Sequence, residues 1–148
     1  MRLEGTKEFD ATREVVWSVI NDPEAMARTM PGVESFAIAD DTHWSAKVKV
    51  PLGLGGLKMS IAFTKLEERP LEFASLNAKG QGVGAMMNMT TSFSLSGDGE
   101  TTSMAWEADV KIAGPVGSMG QRVLQPIINQ QVGNVLGALD NEVQAAKP

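Results

Sequence analysis

The residue types that most often take part in catalysis or metal binding are scarce in this sequence. It contains one histidine, His43, and no cysteine. The lack of cysteine excludes disulfides, thiolate metal ligands and cysteine nucleophiles, and one histidine leaves a transition-metal site with too few ligands. No Gly-x-Ser-x-Gly motif supports a Ser-His-Asp triad. We therefore predict neither a catalytic residue nor a metal site, and we expect His43 to face solvent beside Lys47 and Lys49.

A pair of carboxylates offers a second candidate for chemistry. Glu107 and Asp109 lie two residues apart, so a strand would present both on one face. Paired carboxylates can perform acid–base catalysis. The apolar side chain of Trp106 belongs to the opposite face, so we expect the two acids to keep the outer face of a sheet soluble.

The segment Gly80-x-Gly82-x-Gly84 superficially resembles a nucleotide-binding loop. Its spacing is not Gly-x-Gly-x-x-Gly, and the residues after it alternate as a strand instead of starting a helix. Both the Rossmann and the P-loop interpretations fail on that context. Glycine here is expected to permit a bulge or strong curvature in a sheet.

Composition limits the class of protein. The 148 residues are 43% hydrophobic and carry 13 basic and 18 acidic side chains, a net charge of −5. No basic cluster stands out, which argues against nucleic acid as a partner. The first residues lack the apolar stretch of a signal peptide, and no window approaches the ~20 apolar residues of a membrane span. We expect a single cytoplasmic domain, 1–148.

Seven segments alternate apolar and polar residues, which is the period of a half-buried strand. They cover residues 2–9, 33–39, 42–50, 57–63, 71–78, 85–95 and 104–112. Two short helices are predicted between the first two strands, one capped by Asp10 or Thr12 and the other opened by Pro23. Turns are expected at residues 67–70 and 80–84.

The longest periodic segment runs from Pro115 to Ala146, with apolar residues at helical spacing throughout. A helix through most of it would be about 40 Å long, and Pro126 should kink it. Strands joined by short turns pair antiparallel, and only this helix is long enough to cover their apolar face. The predicted fold is α+β of the helix-grip type: a curved antiparallel sheet wrapped around a long C-terminal helix, two short helices after the first strand, and a cavity between sheet and helix.

Several short pieces of sequence are similar to one known family. They are Val16-Trp17, Asp22-Pro23-Glu24, Met30-Pro31-Gly32, Gly80-x-Gly82-x-Gly84, Met104-x-Trp106-x-Ala108-x-Val110 and Gly114…Met119-Gly120. In this order the chain resembles the START/Bet v 1-like (SRPBCC) superfamily. Within it, the chain resembles the family of the small G-subunit protein associated with aerobic carbon monoxide dehydrogenases. The resemblance covers nearly the whole chain, although no single piece is decisive.

The resemblance implies both a ligand and a partner. The superfamily implies a cavity for a hydrophobic small molecule. The family implies service to a molybdenum hydroxylase of the carbon monoxide dehydrogenase type, by maturation, by recruitment to the membrane, or by carriage of the quinone that accepts its electrons. Some members carry a C-terminal extension proposed to reach the membrane. This sequence ends at Pro148, and we expect any membrane contact to be peripheral, at the inner face.

The inward-facing apolar side chains are expected to line the cavity and contact the ligand. They are Trp44, Val48, Met59, Phe63, Phe73, Met87, Met89, Phe93, Met104, Trp106, Met119, Val123 and Ile127. Flexible methionines suit an isoprenoid chain, and burial of each five-carbon unit contributes about 3–4 kcal/mol before the costs of binding. Polar contacts for a quinone ring are expected from Asn88, Gln121, Arg122 and the backbone donors at the start of the long helix.

Leu52 and Leu54 lie in the loop Pro51–Gly56 with no obvious role in a core. They either fold back as a small satellite cluster or form a gate at the cavity mouth that contacts a membrane or partner.

Three hypotheses of function follow. The first is a non-enzymatic carrier of a quinone such as menaquinone, or of another isoprenoid lipid, with no covalent cofactor. The second is an assembly or membrane-recruitment factor that transports no ligand. The third is a cyclase or hydrolase, which would need an ionisable group in the cavity, and the periodicity offers only Lys7.

Overall fold

The computed structural model describes residues 1–52, 55–97 and 99–148. The strands are β1 (Arg2–Phe9), β2 (Val33–Ile38), β3 (His43–Leu52), β4 (Gly55–Arg69), β5 (Phe73–Gly82), β6 (Ala85–Ser96) and β7 (Thr102–Ala113). The helices are α1 (Arg13–Ile20), α2 (Pro23–Arg28) and α3 (Gln121–Ala146), with a 3-10 turn at Gly117–Met119 before α3. The predicted helix-grip α+β fold is confirmed.

The strands form an antiparallel sheet in the order β1-β7-β6-β5-β4-β3-β2. Each strand from β2 to β6 pairs with the next along the chain, and β1 closes the far edge beside β7. Helices α1 and α2 connect the two edge strands, β1 and β2. The main core joins these helices, the inner face of the sheet and the C-terminal half of α3, as Val16, Trp44 and Leu139 illustrate.

Side-chain caps start the two short helices where the sequence indicates. The Thr12 hydroxyl accepts a hydrogen bond from the backbone N–H of Val15 at 3.3 Å, so Thr12 and not Asp10 caps α1. The Asp22 carboxylate caps α2 by accepting from the N–H of Glu24 at 3.1 Å. Because both caps are local, α1 and α2 are held in the connection between β1 and β2.

Glycines lie inside β5, where the sequence pattern predicts a turn. Gly80 and Gly82 both pair with β4 and β6, so the turn predicted at residues 80–84 begins only after Gly82. A Cβ atom at Gly82 would lie 2.6 Å from the carbonyl oxygen of Lys58, a distance that excludes any side chain. Leu71, with φ of 67°, lies in the preceding turn, so β5 begins at Phe73 and the residues from Glu67 to Arg69 extend β4.

Helix α3 begins later than the periodicity predicts. Gly120 has φ of 87° and ψ of 161°, a conformation that no helix can contain. The chain therefore makes a separate 3-10 turn first, and the 26 residues of α3 span about 39 Å. Pro126 lies inside the helix. In the described part of the chain, no helix combines the length and the hydropathy needed to cross a membrane.

Candidate functional site

An apolar cavity of about 250 Å³ lies between the inner face of the sheet and α3. All strands from β3 to β7 contribute to its wall, together with β1, α2 and α3. Inward-facing residues on a strand recur at every second position and those on a helix at every third or fourth position, so each element presents an apolar row to the same space. The wall is suited to binding a hydrocarbon body.

Nine of the residues predicted to contact a ligand line this cavity. They are Trp44, Val48, Met59, Phe63, Met87, Met89, Phe93, Trp106 and Ile127. Trp44 stacks on Phe63, with ring centroids 5.4 Å apart and planes 8° apart, which gives the β3–β4 side a flat aromatic wall. That these side chains contact a ligand stays a prediction.

Four residues of the predicted set lie elsewhere. Met104 is fully buried in the main core at 0% exposure, because the inner face of β7 runs beyond the cavity. Phe73, at the start of β5, packs under the Arg69 guanidinium, 4.6 Å from its ring centroid. Met119 and Val123 are each 44% exposed, since the helix starts at Gln121 and turns its inner face to Leu124 instead.

The cavity wall also contains residues that the predicted set omits. The helical row does not stop at Ile127 but continues with the same spacing through Ile128, Val132 and Val135. Leu3, on β1, joins it because β1 lies beside β7. The apolar period in the sequence is the signal that identifies the helical residues, whereas no sequence signal reveals that β1 pairs with the last strand.

Three polar side chains interrupt the apolar wall within the described residues: Thr29, Thr91 and Gln131. The Thr29 hydroxyl donates to the carbonyl oxygen of Met26 at 2.6 Å, so its proton is used. The side chains of Thr91 and Gln131 have no hydrogen-bond partner in the described part of the chain. Neither residue belongs to the set predicted from the sequence.

Two buried indole N–H groups of the wall are also unpaired. The Nε1 atoms of Trp44 and Trp106 have no hydrogen-bond acceptor within the described residues and are covered by neighbouring atoms. Trp106 lies against Gly5 of β1, where an added Cβ atom would come within 2.7 Å of its ring. Unpaired buried donors are rare in native proteins, so the cavity region carries unused hydrogen-bonding capacity.

The polar contacts predicted for a ligand ring are not in the cavity. Asn88 lies on the outer face of β6, where its side-chain oxygen accepts from the Asn77 amide at 2.8 Å, because its position in the strand is offset by one from Met87 and Met89. Arg122 is exposed on the side of α3 away from the wall. The side chains of Gln121 and Leu52, and Leu54 itself, lie outside the described residues, so the gate prediction stays a prediction.

Ionisable groups stay out of the cavity. Among the described lining residues none is charged. Lys7 is half-buried beside Phe9, 6.0 Å from its ring centroid, and does not line the wall. Glu107 is exposed and pairs with Arg2 at 3.1 Å. The described residues contain no cluster of His, Asp or Glu able to hold a metal ion.

His43 is exposed at the start of β3, and its Nδ1 lies 3.0 Å from Oδ1 of Asp40. The pKa of Asp40 is lowered to about 2, first because the backbone N–H of Thr42 donates to this carboxylate and then because the His43 ring and the Thr42 hydroxyl also contact it. These contacts order a surface turn far in sequence from the cavity-lining positions of α3.

Solved structures of other proteins share this fold. A conserved protein from Geobacillus kaustophilus superposes with a TM-score of 0.89 at 19% identity, covering 99% of this chain and 97% of its own. A START superfamily protein from Mycobacterium smegmatis gives 0.73 at 17% identity, covering 99% of each chain. The Zhui aromatase/cyclase from Streptomyces sp. R1128 gives 0.71 at 15% identity, covering 97% of this chain and 93% of its own. These likenesses show the fold.

Sequence comparison identifies the family. None of the curated proteins compared with the chain matches it. The sequence profile of CoxG, the G-subunit of carbon monoxide dehydrogenase, matches residues 5–144. The match takes in most of β1, every later strand and all but the last two residues of α3. With this match and its START-like helix-grip fold, the chain belongs to the CoxG family of carbon monoxide dehydrogenase.

Proposed function

We propose that the chain is a non-enzymatic protein that binds a hydrophobic small molecule and carries it for a partner enzyme. The observation that carries the proposal is the cavity of about 250 Å³, whose described lining is apolar and uncharged. A binding site of this kind stabilises its ligand by burying hydrocarbon, and it offers no general acid or base at the ligand. A cyclase or hydrolase function would need such a group.

The ligand we propose is a quinone or another isoprenoid lipid. A volume of about 250 Å³ lies just below the range of about 300–1,000 Å³ of typical ligand pockets. A ring with one or two isoprene units suits this space, and a longer tail would have to leave through the mouth or displace α3. Methionines such as Met59, Met87 and Met89 can adapt to a ring or to a chain.

The partner we propose is a carbon monoxide dehydrogenase-type molybdenum hydroxylase, with the whole chain 1–148 acting as one helix-grip domain. The support is the family, whose name describes a subunit of carbon monoxide dehydrogenase. A quinone carrier would give such an enzyme an electron acceptor that dissolves poorly in water.

Intrinsic fluorescence gives a direct test. Trp44 and Trp106 line the cavity, whereas Trp17 of α1 does not. A short-tailed menaquinone should quench the two lining indoles and should co-purify with the protein in organic extracts analysed by mass spectrometry. Val132→Phe, which fills the cavity, should weaken quenching, and Gln130→Phe on the exposed side of α3 should not. An extract without lipid, together with no quenching, would reject the carrier function.

A second candidate function, recruitment to a membrane surface, is favoured by an exposed apolar rim. The rim consists of Val83, Met86, Met119 and Val123, with exposures of 93%, 57%, 44% and 44%. The turn before β6 is tied to the segment before α3 by the Val116 N–H, which donates to the Gly84 carbonyl at 2.9 Å. The rim members on the two segments therefore lie at the same end of the sheet.

Basic side chains surround this end of the molecule. Lys49 and Lys58 are directly paired across β3 and β4, and Lys79 and Lys111 flank Asn88 on the outer face. An apolar patch beside lysines suits an anionic bilayer. Val83→Asp with Met119→Asp should abolish co-sedimentation with phosphatidylglycerol vesicles, while Leu66→Asp, an equally polar change at an exposed leucine of β4, should not. Equal sedimentation of both variants would reject recruitment through the rim.

A further inference from the structure

Thr91 places an unpaired hydroxyl in the floor of the cavity. It lies on the inner face of β6 between Met89 and Phe93, opposite Leu76 of β5 and Ala108 of β7. The residue is 9% exposed, and within the described residues its hydroxyl has no hydrogen-bond partner. Valine has nearly the same shape, and in the empty protein it would avoid the cost of a buried polar group without a partner.

Gln131 places a second unpaired polar group in the opposite wall. The row of α3 that covers the cavity runs through Leu124, Ile128 and Val135, and Gln131 occupies a position of that row where the spacing calls for an apolar side chain. Its amide has no partner in the described part of the chain. Sheet and helix therefore each present one neutral polar group to the same apolar space.

The indole nitrogens of Trp44 and Trp106 are weaker candidates for a ligand contact. Both are covered by neighbouring atoms, so a ligand could reach them only after the rings move. They also only donate hydrogen bonds, whereas a threonine hydroxyl donates and accepts and an amide does both. Thr91, held by the central strands, is the best placed of these groups to fix the position of a ligand oxygen.

We propose that the cavity selects a neutral ligand with a carbonyl or hydroxyl oxygen on a hydrocarbon body, and that the Thr91 hydroxyl binds this oxygen while the Gln131 amide faces it from α3. The inference rests on the proposed carrier function and names the ligand class that it accepts. An anionic head group would be buried without a counter-charge, because no described lining residue is charged.

Three ligands with one isoprenoid body separate the alternatives: farnesene, farnesol and farnesoic acid. Their dissociation constants can be measured at pH 8 by displacement of N-phenyl-1-naphthylamine from the full chain. Farnesol should bind more tightly than farnesene, and farnesoate should bind at least about tenfold more weakly than farnesol, which corresponds to about 1.4 kcal/mol. Farnesoate binding as tightly as farnesol would overturn the inference without any variant.

Substitution of Thr91 tests the contact itself. Thr91→Val should weaken farnesol binding by about 3–10-fold, the usual effect of one hydrogen bond, and leave farnesene binding unchanged. Thr91→Ser should restore farnesol binding, and Thr90→Val on the outer face is the control. The melting temperature of empty Thr91→Val should equal or exceed that of the wild type, whereas a purely structural hydroxyl would lower it on removal.

The outcomes also separate this inference from the carrier function. If farnesene and farnesol both bind but Thr91→Val leaves their ratio unchanged, the polar contact is wrong and the carrier function stands. If no ligand displaces the dye from the folded wild type, both proposals fail together.

Discussion

Trp106 owes its position to the absence of a side chain on Gly5, its partner across β1 and β7. A Cβ atom at Gly5 would lie 2.7 Å from the indole ring, so Gly5→Ala must push the ring into the cavity. Such overpacking costs about 1–3 kcal/mol. Urea denaturation should show this loss for Gly5→Ala. Gly99→Ala, where nothing lies within 4 Å, should leave the free energy of unfolding nearly unchanged, and equal losses would contradict this packing.

Asp40 makes one turn sensitive to acid. Its folded-state pKa is about 2, below the ordinary aspartate value of 3.8, chiefly because the Thr42 backbone N–H donates to it. A lowered carboxylate pKa stabilises the fold above the unfolded-state pKa, and the effect disappears as the pH falls through about 2. The stability difference between wild type and Asp40→Asn should therefore shrink as the pH falls from about 5 to about 2. Asp41→Asn, which keeps the three Asp40 contacts, should show no such trend in thermal melts.

Helix α3 has two unequal halves. Its C-terminal half is anchored by the buried residues Leu139 and Val143 and by Arg28, whose guanidinium lies 2.6 Å from Glu142. The hydrogen bond to Glu142 raises the pKa of Arg28. The N-terminal half covers the cavity with half-buried residues and contains Pro126, which removes a helical hydrogen bond. We expect a ligand to enter where the helix is less well anchored.

Glycines in α3 allow this idea to be tested. An added Cβ atom at Gly133 or Gly137 would meet nothing within 4 Å, so Gly133→Ala and Gly137→Ala should each stabilise the protein by about 0.5–1 kcal/mol. A stiffer helix should also release ligand more slowly in stopped-flow dye displacement. Gly114→Ala is the opposite control, because φ of 89° and the Gly84 carbonyl at 2.8 Å forbid a side chain. Faster release from the two helical variants would contradict the lid role of α3.

At the level of elements, periodicity shows which face of a strand is buried but not what covers it. All seven strands and three helices follow from the sequence pattern, since burial of one face selects the residues. The pattern nevertheless places Met104 in the cavity, because it does not reveal that the inner face of β7 also supplies a solid core with Phe9 and Val16. The positive φ of Gly120 is equally invisible in the pattern, so the predicted start and phase of α3 are wrong.

The whole molecule separates its charges from its cavity. The net charge is −5, yet lysines flank the rim, and no described lining residue is ionisable. Ligand binding and surface attachment should therefore respond to different variables. Binding of a neutral ligand has no nearby titrating group to depend on, whereas attachment of lysines to anionic lipid weakens as salt screens the charges.

This separation predicts two independent responses of the full chain. The dissociation constant of farnesol, measured by dye displacement, should change by less than about twofold between about pH 5 and about pH 9, because only buried titrating groups at the ligand would couple binding to protons. Co-sedimentation with phosphatidylglycerol vesicles should fall steeply as salt rises from about 0.05 to about 0.5 M, since the Debye length shortens over that range, while farnesol affinity stays constant. A titration step in farnesol binding would place an ionisable group at the ligand and reopen the enzymatic hypothesis.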